Sequence, residues 1–187
     1  MEIASFGEYC NRVYFACKNL EDEKLSEIIE LLKVTIESKG RIWIIGNGGS
    51  AATASHFATD LSRCSNSVGE PVHAISLCDN SSLITAIGND FGFDSVFSRQ
   101  LSKAAIKGDL LIVISASGNS KNLLKAMEWA KDNGVKTLTL TGFDGGEAKI
   151  LADTSLHVPT STGDYGVAED THSILCHFLS SQFRDYR

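Results

Sequence analysis

Five short apolar, β-branched runs, at residues 41–45, 72–77, 109–115, 136–140 and 155–158, alternate along the chain with segments of helical periodicity. This alternation constrains the fold more than any other feature. A strand that is apolar on both faces has no solvent side, so it belongs in a sheet covered by helices above and below. Strand–helix–strand order makes neighbouring strands parallel, because the chain must cross over through the helix to return. The expectation is an α/β domain with a doubly wound parallel sheet, and helices near 50–63, 81–87, 96–105, 119–132 and 167–183. Residues 1–39 also read as helical: Leu25, Ile28, Ile29, Leu32 and Ile36 recur at 3.6-residue spacing, and Lys39-Gly40 ends the segment.

Composition narrows the function classes. The chain has 187 residues, 43% hydrophobic and 21% charged, with mean hydropathy near zero, which fits a single domain over 1–187. Its 17 basic and 23 acidic residues leave a formal net charge of −6 with no long basic run, so binding to a nucleic-acid backbone is not expected. No stretch approaches the roughly 18 apolar residues of a membrane span. The start, Met1-Glu2-Ile3-Ala4, lacks the basic head and apolar core of a signal peptide. Five cysteines (Cys10, Cys17, Cys64, Cys78, Cys176) are odd in number and show no CxxC spacing, which predicts reduced, mostly buried thiols in a cytoplasmic protein.

The run at 41–45 empties into Gly46-Asn47-Gly48-Gly49-Ser50 and then into a helix. A strand–glycine turn–helix junction can hold a phosphate, because helix-start N–H groups and the helix dipole both favour an anion there. His56 and Asp60 follow, four residues apart and therefore on one helix face. They can reach one metal or one substrate atom; a solvent-facing pair is the alternative. The turn lacks the GxGxxG spacing of a dinucleotide site, and no GxxxxGK followed by Ser or Thr marks a nucleotide triphosphate site. The second junction, Ser115-Ala116-Ser117-Gly118-Asn119-Ser120, offers three hydroxyls and a glycine at a helix start. A helix cap needs one such residue, so this loop reads as a phosphate cradle.

Three further segments are open to two readings. Asn89 and Asp90, framed by Gly88 and Gly92, suit a sugar diol or form a plain loop. The turn at 142–146 is read either as a ligand loop or as a plain strand-to-helix turn. The final helix carries Glu169, His172 and His177 among Ile174, Leu175, Phe178 and Leu179. Glu169 and His177 stand about 80° apart around the axis and roughly 12 Å apart along it, so they meet at one point only by leaning together or from different subunits. His172 points elsewhere.

Taken in order, GNGGSAATASHFATDL, AIGNDFGFDSVFSRQ, ISASGNSKNLLKA, LTLTGFDGG and the final Glu-x-x-His-x-x-x-x-His resemble the sugar isomerase (SIS) family, in particular its phosphoheptose isomerase branch. The resemblance implies a five-stranded, flavodoxin-like three-layer sandwich. It also implies a homotetramer with active sites at subunit interfaces, and N-terminal helices that pack the oligomer. The implied activity converts D-sedoheptulose 7-phosphate to D-glycero-D-manno-heptose 7-phosphate, toward bacterial surface heptose. By the same resemblance Asn47, Gly48, Gly49, Ser50, Asp60, Asn89, Asp90 and Glu169 contact substrate, and Ser115, Ala116, Ser117 and Ser120 hold its phosphate. The resemblance links His56 and His177 to zinc and catalysis; enediol chemistry then suggests Asp60 as base and His177 as acid, with zinc held by His56, Asp60, Glu169 and His177. The chain departs from the branch in five places: Asp60 replaces a glutamate, Glu169 a glutamine and Ala116 a hydroxyl residue, Arg63 is shifted by one from a usual arginine, and residues 163–168 lack the usual basic turn. Rival readings are a non-catalytic SIS protein that binds a replication-initiation partner, an isomerase of another ketose phosphate, and a sugar-phosphate-sensing regulator.

Overall fold

The computed structural model describes residues 5–66 and 69–183; residues 1–4, on which the absence of a signal peptide was read, lie outside them. Five parallel strands form one sheet in the order β2-β1-β3-β4-β5. They are β1 (Ile42–Gly46), β2 (Ala74–Ser76), β3 (Leu110–Ser115), β4 (Lys136–Thr141) and β5 (Thr154–His157). The helices are α1 (Phe6–Lys18), α2 (Asp22–Glu37), α3 (Gly49–Ser62), α4 (Ser81–Phe91), α5 (Ser98–Ala104), α6 (Lys121–Asp132), α7 (Gly146–Leu151) and α8 (Tyr165–Ser181). The expected α/β class and doubly wound order are both present.

Strand alternation builds two cores. Ile42, Ile44, Leu110, Ile112, Leu138 and Leu140 face α2, α3 and α8 through Ile28, Leu32, Phe57, Leu61, Leu175 and Leu179. Trp43, Ile45, Leu111 and Val113 face the other layer through Leu101, Leu123, Met127 and Ala148. Strands covered on both faces are why the runs read as continuously apolar rather than alternating.

The boundaries differ where glycine and edge position act. The N-terminal helical segment is two helices, broken at Asn19–Glu21, and α1 contributes no buried residue. The left-handed residue closing α2 is Lys39, with φ of 62°. Gly40 is instead needed for close approach, since a Cβ there would stand 2.6 Å from the Gly108 carbonyl oxygen. β2 pairs only with β1 and is shorter than the apolar run. α4 continues past Gly88 and stops at Gly92, so Asn89 and Asp90 lie in its last turn and not in a loop. The turn at 142–146 does lead into a helix, α7.

His172 is completely buried, and burial pushes its pKa down to about 4, with the Thr141 backbone a smaller opposing influence. The unfolded chain takes up this proton near pH 6.5, while the folded chain resists it until about pH 4. Stability attributable to His172 is therefore intact above pH 6.5 and falls as the pH drops through that window. We expect urea midpoints to fall by the equivalent of about 2–3 kcal/mol between pH 7.5 and 4.5. The fall should be visibly smaller in His172→Leu, and an equal fall in both would contradict this account.

Candidate active site

Strand order reverses between β1 and β3: the chain leaves β1 toward β2 and leaves β3 toward β4. Loops beyond the carboxyl ends of two such strands separate and leave a crevice, which is where open α/β sheets bind ligands. Gly46 is in register with Ile114, so the 46–50 turn and the 115–120 loop rise side by side at that point.

Gly48 caps α3 with φ 55° and ψ −124°, a conformation that excludes side chains, and no side chain caps the helix. The Glu169 carboxylate lies at this helix start: a Cβ on Gly49 would fall 2.2 Å from its Oε2. A negative charge there is favoured by the helix dipole. Ser50 is buried behind the turn. In the second loop, the Ser115 hydroxyl accepts from the Gly118 N–H at 3.0 Å and the Ser117 hydroxyl from the Asn119 N–H at 3.4 Å. The Ala116 side chain packs with Phe143 and Ala168, so only its backbone is offered to a ligand.

α3 and α8 pack side by side and bring together what the sequence separates by more than a hundred residues. Asp60 Oδ2 lies 3.8 Å from His56 Nε2 and 3.7 Å from His177 Nε2, and the two nitrogens are 3.4 Å apart. The rings meet edge to face, 4.8 Å between centroids. Asp60 is only 5% exposed, whereas both imidazoles open to solvent. These three atoms form the one group of candidate metal ligands among the described residues. A tetrahedral zinc with bonds near 2.1 Å separates its ligands by about 3.4 Å, close to this triangle, and a His/His/carboxylate set suits zinc. The donor set therefore fits the ion.

Glu169 is not in that group; it belongs to the α3 helix start. Asn89 and Asp90 are exposed and bond to each other at 2.9 Å, and no described contact joins them to the His56–Asp60–His177 group. His172 faces the core, as its angle around α8 requires. None of the five cysteines is in a disulfide, but only Cys64 and Cys176 are buried. Burial pushes the Cys176 thiol strongly up, so its position beside His177 marks packing and not reactivity.

A family model for the SIS domain matches residues 5–142. The chain belongs to the SIS domain family. Its similarity runs to the phosphoheptose isomerase branch: a phosphoheptose isomerase of Helicobacter pylori (strain Shi470) is 46% identical over 87% of this chain and 84% of its own. The solved phosphoheptose isomerase of Neisseria gonorrhoeae superposes with a TM-score of 0.85 at 35% identity, covering 95% of this chain and 94% of that one. A phosphoheptose isomerase from Francisella tularensis gives 0.86 at 28% identity over 96% and 97%. In this SIS domain the glycine turn and the serine loop lie together beyond the carboxyl ends of β1 and β3, and the His56–Asp60–His177 group lies between α3 and α8. The sequence reading missed Asn122, a buried amide in the first turn of α6 that bonds Asn47. Its signal was a polar residue on the core side of the helix that follows the serine loop.

Proposed function

We infer that this chain is a phosphoheptose isomerase, an aldose–ketose isomerase that interconverts sedoheptulose 7-phosphate and D-glycero-D-manno-heptose 7-phosphate in heptose biosynthesis. The observation that carries the reading is the convergence of Asp60, His56 and His177 between α3 and α8. A non-catalytic partner-binding protein has no use for a buried carboxylate under two solvent-facing imidazoles.

The serine loop holds the phosphate and the glycine turn meets the sugar near C1 and C2. Isomerisation moves a proton from C1 to C2 through an enediol, and a second proton leaves the C1 hydroxyl as one arrives on the C2 oxygen. Asp60 takes the C1 proton, and His177, 3.7 Å from it, protonates the C2 oxygen. Reversing both roles returns a proton to C2 and releases the aldehyde at C1. Zinc held by His56, Asp60 and His177 would polarise the carbonyl and neutralise charge on the enediolate oxygen. With the ion bound, Asp60 would serve it as a ligand in one state and carry the proton in the other. Glu169, at the α3 helix start, is assigned to sugar hydroxyls beside the glycine turn, with Asn47, Gly48 and Gly49.

We assign the chain to a homotetramer built on one SIS domain, with its first helices in the subunit contacts. A cavity of about 430 Å³ between α1 and α8 is lined by Phe6, Cys10, Val13, Ile174 and His177. Phe6 is 81% exposed, and Ile174 and Phe178 are also open. An apolar surface that includes a catalytic histidine is suited to a second subunit. No helix among the described residues is long and apolar enough to cross a membrane, and five cysteines outside any disulfide suit the reducing cytoplasm.

The test is direct. Purified protein is incubated with sedoheptulose 7-phosphate, with and without chelator, and aldose formation is followed. Aldose should form without chelator, diminish with it and return when zinc is added back. No aldose in the zinc-replete, folded protein would overturn the reading.

A further inference from the structure

We propose that Asn122 is a positioning residue, and that its pairing with Asn47 sets the spacing between the sugar-side turn and the phosphate-side loop. The inference rests on the isomerase reading of these two loops and deepens it.

The two carboxamides face each other and exchange hydrogen bonds. Asn47 Nδ2 donates to Asn122 Oδ1, and Asn122 Nδ2 donates to Asn47 Oδ1, both at 2.9 Å. Asn47 follows the last residue of β1, and Asn122 is the second residue of α6, just past the serine loop. β1 and β3 are the strands flanking the switch point, so the pair spans the crevice floor. Asn122 is only 2% exposed, and its Oδ1 also accepts the Leu123 N–H at 3.0 Å, which fixes the amide orientation within the first helical turn.

Such a pair does two things for a substrate held at both ends. It commits one N–H and one lone pair of Asn47 to Asn122, leaving the second N–H and the backbone of the turn for the sugar. It also ties the loop that holds the phosphate to the turn that precedes His56 and Asp60. A sugar phosphate anchored in the serine loop then presents C1 and C2 at a set distance from those residues. Without the pair the phosphate still binds, but the reacting carbons lose registration, and a displacement near 1 Å costs about 100-fold.

The test uses full-length Asn122→Ala, Asn122→Asp, Asn47→Ala and the double alanine variant. Asn122→Asp keeps the shape and the acceptor of Asn122 and turns its donor into a carboxylate oxygen facing Asn47 Oδ1, so it breaks the exchange without opening a cavity and covers the case in which Asn122→Ala fails to fold. With sedoheptulose 7-phosphate, kcat should fall about 10–100-fold in the alanine variants and less in Asn122→Asp. The inhibition constant for inorganic phosphate should stay within about twofold, and the double variant should be no worse than the poorer single. Losses that multiply in the double variant, or an unchanged kcat in the singles, overturn the proposal. A second measurement does not depend on turnover. Inorganic phosphate should slow hydrogen exchange in both the 115–120 loop and the 46–50 turn of the parent protein, and only in the loop of the Asn122 variants. Equal protection of the turn in the variants, or no protection of it in the parent, overturns the pairing even if the chain isomerises another sugar.

Discussion

Asp60→Asn is expected to lower isomerase turnover by about 1000-fold, and His177→Ala by a similar factor, with folding intact in both. Proton transfer by a placed side chain is worth about 100- to 10,000-fold, and Asp60 is the only carboxylate whose oxygen faces both imidazoles among the described residues. The asparagine is nearly isosteric, so neither a cavity nor a clash accompanies the loss of charge. The imidazoles that face Asp60 are exposed, so its neutralisation leaves no buried charge without a partner, and His177 is itself an exposed residue at the edge of α8. The variant must therefore keep its circular dichroism and its thermal midpoint within a few degrees. Zinc content is read on the same samples, because loss of the carboxylate should also weaken the ion's hold. Turnover within tenfold of the parent in Asp60→Asn would remove Asp60 from the chemistry.

The parts of this molecule that could be read from the chain are those decided by local pattern. The central strands are buried on both faces, so Ile42–Gly46 and Leu110–Ser115 announce themselves as apolar runs. Each ligand loop follows its strand directly, so the glycine turn and the serine loop could be placed without knowing the packing. His56 and Asp60 share a helix face by spacing alone. Residues whose position depends on how elements meet were less legible. Glu169 lies two turns before His177 on the same helix, yet α8 crosses α3 so that His177 reaches Asp60 while Glu169 reaches Gly49. Asn89 and Asp90 looked like a loop because Gly88 looked like a terminator; the glycine with positive φ is Gly92, at 85°, and the helix runs up to it. Asn122 bonds a residue 75 positions away, a separation that no periodicity encodes.

Gly118→Ala should be the most damaging single change in the serine loop, through backbone strain and a steric conflict together. Gly118 has φ of 65°, in the left-handed region that costs an L side chain about 1–2 kcal/mol. An added Cβ would also fall 2.0 Å from the Gly145 carbonyl oxygen and 2.8 Å from its carbon. Neither atom belongs to a flexible side chain, so the loop or the 142–146 turn must move. Movement breaks a set of bonds that share the strain: Ala148 N–H to the Gly118 carbonyl at 2.9 Å, Gly118 N–H to the Ser115 hydroxyl at 3.0 Å, and Glu147 N–H to Asn119 Oδ1 at 3.0 Å. A loss of about 3 kcal/mol or more in unfolding free energy is expected, from strain plus one or two broken buried bonds. The same displacement misplaces the phosphate donors, so KM for the sugar phosphate and the inhibition constant for inorganic phosphate should rise together, by about tenfold or more if one or two charge-assisted bonds are lost. Gly48→Ala is the internal control. Its φ is also positive, but nothing lies within 4 Å of an added Cβ, so it should suffer the conformational cost alone and leave phosphate inhibition nearly unchanged. Calorimetric midpoints and phosphate inhibition for the two variants separate the effects, and equal losses in both would show that the contact between Gly118 and Gly145 does not brace the loop.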